Sequence, residues 1–502
     1  MILILISPIL CLLVCLLGLK MPGKKASALA FLIAVVVYHF YYNSGFLGLY
    51  ISMAKGFGLA LFVVLIIWGA MFLYSLVKES GALDVINKNI QIIVKNRFLQ
   101  FLLLSWVFAS FLQGIAGFGV PVIVVAPILV GMGFNPVVSA AAVLVGHSWA
   151  ISYGSMGSSI YAINMVTSEE IGEIVNHMFA YGLVAMLCTG LSVCFIYGGK
   201  KYLIKGVPYV LATTITMGVT LYIVSKLEML SIIGISTGLV GLITLFTINK
   251  LSNRTQEKIT LFKSEINLAQ ALMPYILIVI LSLAFYVIHP TWAIYLNYPG
   301  YETLAGVVVE PANQYVKFNI LKFPFSVIAI ASAISIIMYR RKGVFDKSKL
   351  KKVINATIDK CMSATVTLIF LLSMAVIMMD SGMIHQLAVV IVGATNEWYP
   401  FASPFIGLLG YFVTGSNTNS NVIFGSLQET AANTLGLSAA AMCAAQSIGA
   451  SIGGGIGPTT VSLGSTAAQI HGQESLIYKK TLIPILLTAL ILGIQNLIIV
   501  LY

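Results

Sequence analysis

The sequence predicts an all-α integral membrane protein of about twelve transmembrane helices. It predicts two inverted repeats, each with a re-entrant hairpin and a discontinuous helix. Three observations lead there. The 502-residue chain is 59% hydrophobic and only 9% charged, against about 25% charged in a soluble domain. Apolar runs of about 17–25 residues, the span of a bilayer core, recur from end to end. Glycine-rich or polar breaks cut apolar stretches at matching places 301 positions apart: Gly114 and Gly415, Gly154 and Gly455, and the turns Glu79-Ser80-Gly81 and Asp380-Ser381-Gly382.

The crossing segments fall at about 2–19, 26–42, 58–77, 137–164, 174–198, 207–225, 229–248, 268–288, 323–339, 363–379, 438–468 and 479–501. The first lacks a charged leader and a small-residue cleavage site, so it reads as a retained helix. The stretches 98–134 and 398–434 are apolar but broken near the middle, which marks each as a hairpin that enters and leaves by one face. Of the 28 Lys and Arg residues, 24 lie in the connections after odd-numbered segments. Positive residues concentrate in cytoplasmic loops. Both termini are therefore expected outside, with 340–360 in the cytoplasm. The net charge of +12 thus reads as a topology signal rather than a nucleic-acid surface. The six cysteines show neither metal-type spacing nor a disulfide framework. No cofactor or structural metal is expected.

Segments 58–77 and 363–379 correspond across the repeat, and an odd number of crossings separates them, so the halves are inverted. The expected division is repeat one at 1–198, connector helices and a polar stretch at 199–267, and repeat two at 268–502. The first two segments should map onto the eighth and ninth. Lys78–Arg97 has the amphipathic helical spacing Leu83, Ile86, Ile90, Ile93 and should lie along the interface before the first hairpin. Its counterpart is about 381–397. The two hairpin tips should therefore meet near the midplane from opposite faces.

Broken backbone in a bilayer is tolerated only where it is buried in protein or lines a wet cavity. The breaks are therefore the candidate site. In the first tip, Gln113-Gly114-Ile115-Ala116-Gly117-Phe118-Gly119 precedes Pro121, and the following helix start offers free N–H groups to an anion. The second tip supplies Ser416, Asn417, Thr418, Asn419, Ser420 and Asn421. The discontinuous helices break at Gly154 and at Gly453, Gly454, Gly455 and Pro458, and place Ser155, Gln446, Ser447 and Thr459 nearby. Glycines in membrane helices also serve close packing, but four glycines and a proline in 453–458 exceed that need. His147 is the titratable side chain beside a break, and an imidazole exchanges protons near physiological pH. Freed carbonyls at 453–458 with Ser447 and Thr459 are the alternative, a sodium site. No Lys or Arg reaches these positions, so a bound anion would be held by dipoles, hydroxyls and amides.

The stretches Phe111-Leu112-Gln113-Gly114-Ile115-Ala116-Gly117-Phe118-Gly119-Val120-Pro121-Val122 and Val413-Thr414-Gly415-Ser416-Asn417-Thr418-Asn419-Ser420-Asn421-Val422-Ile423-Phe424-Gly425-Ser426-Leu427-Gln428 resemble signatures of the lactate permease family. Ser416-Asn417-Thr418 is similar to hairpin tips of the wider ion transporter superfamily. The resemblance implies proton-coupled uptake of a small 2-hydroxy monocarboxylate, lactate or glycolate, across the cytoplasmic membrane. Family members usually carry Glu where Gln113 stands and Asp where Asn417 stands. These amides cannot carry protons, which turns attention to His147 or to another co-ion.

The expected function is a secondary carrier rather than an enzyme. The alternatives are a sodium-coupled carrier of another organic anion, a channel, or an intramembrane enzyme. The last lacks a His-Glu-x-x-His helix, paired Asp clusters and a Ser/His/Asp set. Expected partners are a small organic anion, a proton or sodium, and membrane lipid, with no nucleic acid; a homodimer is an open option.

Overall fold

A computed structural model describes residues 2–19, 21–42, 45–94, 96–117, 119–252, 262, 264–288, 290–302 and 308–501. Parts of the polar connector stretch 249–267 and Phe118 of the first signature lie outside the described residues. The protein is predominantly helical, and ten described helices are long and apolar enough to cross a membrane. One of them, Ile171–Lys226, holds two expected segments, because helical geometry breaks at Gly198 and at Gly199 (φ 69°). Another, Arg97–Ile115, is the first arm of a hairpin. The first and fourth expected segments are too short to be counted among the ten. The first is Ile2–Leu13 followed by a π-helical Val14–Gly18, and the fourth is split.

Element lengths repeat as the breaks do. Phe46–Glu79 and Lys347–Asp380 are 34 residues each, and Gly23–Phe40 and Pro324–Arg341 are 18 each. Each pair is offset by 301 positions at both ends. Gly81 and Gly382, which turn the chain after the long helices, share a left-handed φ of 78°. The two long helices pack antiparallel. Lys55 meets Asp380 at 3.2 Å, Trp68 Nε1 donates to Thr365 Oγ1 at 2.8 Å, and a Cβ on Gly56 would strike the Ser373 backbone.

Two boundaries differ from the sequence reading. The basic stretch 347–360 is no loop but the start of Lys347–Asp380. Asp346 caps it, accepting from Lys349 N at 2.8 Å, and Lys and Ala there favour helix. Likewise 46–57 is helical, which buries Lys55. The all-helical expectation also lacked a small β element. Ala293–Tyr298 pairs antiparallel with Ala312–Asn319, and Tyr301–Glu302 with Val308–Val309. The enrichment in Tyr, Ile, Val and Phe there suits strands. Tyr301 from this element donates to Asp380 Oδ2 at 3.2 Å, beside Ser52 at 2.8 Å. Lys55–Asp380 is the one ion pair among the described residues.

The centre of the bundle is made by the broken elements. All 15 residues of Ala439–Gly453 are buried, while outer helices such as Glu474–Leu501 expose rows of Leu and Ile. Close approach explains several glycines. A Cβ on Gly146 would hit Ser105 O, one on Gly407 would hit Gln446 O, and one on Gly449 would hit Pro404 O. These contacts press each hairpin against the neighbouring interrupted helix.

Candidate functional site

Four chain breaks surround one point. Hairpin one joins Arg97–Ile115 to Val120–Gly131 through Gly119 (φ 75°). Hairpin two joins Tyr399–Thr414 to Asn417–Leu435 through Gly415 (φ 70°) and the extended Ser416, whose side chain accepts from Asn419 N. Interrupted helix one runs Pro136–Ser148, breaks, and resumes at Ser158–Met165 after Gly157 (φ 79°). Ser155 (φ 46°) and Met156 (φ 56°) hold left-handed conformations within that break. Such backbone costs about 1–3 kcal/mol per residue and clusters at functional sites. Interrupted helix two runs Ala439–Gly453 and resumes at Pro458–Ala467, where proline suits the first turn.

A cavity of about 180 Å³ lies among these breaks. It is smaller than the roughly 300–1,000 Å³ that drug-sized ligands occupy, and so suits a small metabolite. Four helix starts reach it: Gly119 before one, Ser158 and Ser159 on the second, Asn417 and Thr418 on the third, and Thr459 and Thr460 on the fourth. Each helix N-terminus carries roughly half a positive charge, and the helix ends at Gln113, His147 and Gly415, which also line the cavity, carry the opposite sign. His147, Gln113, Ser155 and Ser416 add polar walls, and Ile151, Tyr411 and Leu463 add apolar ones. Among the described residues, no carboxylate, lysine or arginine lines it.

Hydrogen bonds tie the breaks together. Gly117 N donates to Ser155 Oγ at 2.8 Å. Asn417 Nδ2 donates to Ser152 Oγ at 2.7 Å, and Ser159 and Thr418 share a hydroxyl bond at 3.0 Å. Ser152 Oγ in turn donates to Ser447 O at 2.8 Å, and Ser451 Oγ donates to Ser148 O at 2.6 Å. His147 Nδ1 lies 2.5 Å from Val143 O. That contact assigns the proton to Nδ1 in the neutral ring and leaves Nε2 to accept.

Of the residues singled out in the sequence, Gln113, Gly117, Gly119, His147, Ser155, Gly415, Ser416, Asn417, Thr418 and Thr459 line the cavity. The others stand behind it. Gly114 is helical, and its missing Cβ admits the Gly234–Ile235 backbone. The stretch 416–421 is a cap and a first helical turn rather than a loop, so successive side chains rotate away. Ser420 Oγ donates to Gly407 O at 3.0 Å, and Asn421 Nδ2 donates to Ser159 O at 3.0 Å and Ser447 Oγ at 2.9 Å. Gln446 Nε2 donates to Ser420 Oγ at 3.1 Å. Asn419 N is bonded to the Ser416 cap at 3.3 Å. Of the two sodium candidates, Thr459 is on the wall and Ser447 is in the network behind it. Gly154 packs its α-carbon against Gln113, and Gly454 packs against Ile151 and Tyr411. Sequence reasoning passed over Ser158, Ser159 and Thr460, although each follows a named break. Nothing in the sequence marked Ile151, Tyr411 or Leu463.

A multi-pass helical membrane protein with a polar cavity enclosed by interrupted helices has the architecture of a membrane transport protein. The L-lactate permease family model matches residues 1–502, and the chain belongs to that family. It is 28% identical to the L-lactate permease of Salmonella typhi, over 94% of this chain and 91% of the relative. It is 27% identical to the glycolate permease GlcA of Escherichia coli (strain K12), over 99% and 95%. These relatives are permeases, not enzymes. A solved structure with similarity is the YdaH transporter of Alcanivorax borkumensis, 15% identical, with a TM-score of 0.47 over 88% of this chain and 87% of that one.

Proposed function

We propose that the chain is a secondary active transporter that takes up a small 2-hydroxy monocarboxylate, lactate-like or glycolate-like, with a proton across the cytoplasmic membrane. The observation that carries this is the convergence of four helix N-termini on a small cavity with no formal charge on its walls. Such a site favours one small anion over a neutral solute and needs no fixed cation. The carboxylate takes the helix starts at Gly119, Ser158, Asn417 and Thr459. The 2-hydroxyl takes Gln113 or Ser155. Ile151, Tyr411 and Leu463 face the carbon end. His147 Nε2 takes the proton that travels with the anion. The relatives named for lactate and glycolate support the substrate class.

We place this site at the meeting of two inverted repeats, 1–198 and 268–502, joined by 199–267, with re-entrant hairpins from opposite faces and both termini outside. The equal helix lengths, their antiparallel packing and the Lys and Arg distribution support that arrangement. A second reading couples sodium instead. It is favoured by the buried Oδ1 atoms of Asn417 and Asn421, which have no hydrogen-bond partner among the described residues and are oxygens of the kind a hard cation accepts.

Uptake of labelled lactate and glycolate into proteoliposomes, with proton and sodium gradients imposed separately, tests both. Accumulation driven by the proton gradient alone is expected. Accumulation driven by sodium alone installs the second reading, and no accumulation under either gradient overturns the carrier.

A further inference from the structure

A second cavity, about 550 Å³, opens on the outer surface of the bundle between the first half of Ile171–Lys226 and the helix Glu474–Leu501. Its walls are apolar. Phe195, Ile483, Leu487 and Ile491 are 50%, 65%, 53% and 43% exposed, too open for a protein core and suited to hydrocarbon. One end differs. Lys479 and Lys480 line it there. The helix break at Gly198–Gly199 precedes the lining residue Leu203, and exposed Lys200, Lys201 and Lys205 lie within three positions of that residue in the chain. No Asp or Glu occurs in 174–227 or in 475–502, and none of these five lysines forms an ion pair among the described residues. The groove is therefore a largely apolar slot with a net cationic mouth, where Glu474 in the first turn of its helix offsets part of the charge.

We propose that this groove is a binding site for an anionic phospholipid, with an acyl chain along Phe195, Ile483 and Leu487 and the phosphodiester between Lys479 and Lys480. Neither half of the groove suffices for another ligand. A soluble phosphate leaves the slot empty, and a zwitterionic lipid leaves the lysines uncompensated. In the orientation proposed above, the cationic mouth lies in the cytoplasmic leaflet, where basic pockets between helices take anionic headgroups.

Native mass spectrometry of the delipidated full chain tests this by titration with phosphatidylglycerol, phosphatidylcholine and inorganic phosphate. Wild type should retain phosphatidylglycerol in preference to phosphatidylcholine. Lys479→Gln with Lys480→Gln should weaken retention by roughly 30-fold. Leu487→Trp should expel the lipid with both lysines intact. Lys351→Gln with Lys352→Gln, exposed lysines of another helix, should change nothing. Equal retention of phosphatidylcholine, displacement of lipid by inorganic phosphate at similar concentration, or full retention by both groove variants overturns the assignment. Unfolding temperatures in lipid-free detergent show that each variant is folded, and the two groove variants act at opposite ends of the slot, so failure of one to fold leaves the other decisive.

Discussion

Asn417→Ala separates transport from folding. Asn417 begins the second helix of hairpin two and is 2% exposed. Its Nδ2 donates to Ser152 Oγ at 2.7 Å, while its Oδ1 has no hydrogen-bond partner among the described residues. Truncation leaves Ser152 Oγ still bonded to Ser447 O at 2.8 Å. The fold therefore loses one ordinary hydrogen bond, about 0.5–1.5 kcal/mol. A bond to a charged substrate is stronger, about 1.5–3 kcal/mol. Its loss should weaken binding roughly 10- to 150-fold. Detergent unfolding and proteoliposome uptake of the same preparation give both numbers. Wild-type half-saturation for uptake, or a stability loss above about 3 kcal/mol, would show that Asn417 holds the fold and not the substrate. Asn417→Asp sharpens the test. It puts a carboxylate beside the bound anion, so that acid must be protonated when substrate is present. Uptake by this variant should rise as pH falls, more steeply than wild type, whereas a parallel pH profile refutes the contact.

His147→Gln should remove the dependence of lactate accumulation on an imposed proton gradient; unchanged dependence excludes His147 as the carrier. Gly117→Ala places a Cβ 2.5 Å from Ser155 Oγ and should depress uptake, with Ser155→Gly in the same chain restoring part of it; no rescue means the tip contact is not the cause. Removing the Asp380 charge leaves Lys55 buried without its counter-ion, at a cost of about 3–5 kcal/mol. Lys55→Met with Asp380→Leu together should cost much less, as thermal unfolding would report. Asp346→Cys should resist impermeant thiol reagents in intact cells, and labelling from outside reverses the proposed orientation.

The breaks were legible because backbone that cannot be satisfied in lipid must leave a residue signature. Gly119, Gly415 and Pro458 each sit at an actual helix start or turn. The helical phase after a break was not legible. Six polar residues at 416–421 look alike in sequence, yet only Ser416, Asn417 and Thr418 reach the cavity, because the helix begins at Asn417. The apolar wall left no trace, since Ile151 and Leu463 resemble every other core residue. Lys55 looked like a loop charge. Only the long-range meeting with Asp380, 325 positions away, places it inside the bundle. The β element at 293–319 was missed because short strands between membrane helices carry no periodicity that a span count detects.

Under the proposed function, a cavity that holds anions with backbone dipoles has a consequence for its empty return. A lysine-based site would carry net charge back across the membrane once its cargo had left, and each charge moved costs about 2.3 kcal/mol per 100 mV. Here, among the described residues, the walls bear no carboxylate, lysine or arginine, and the helix starts lend their field without lending an ion. With His147 neutral, the empty carrier reorients with no formal charge at the cavity. With a proton and a monocarboxylate aboard, it again moves none. Neither half of such a cycle is slowed or hastened by the membrane potential, so the pH difference and the solute gradient alone set the direction of flow.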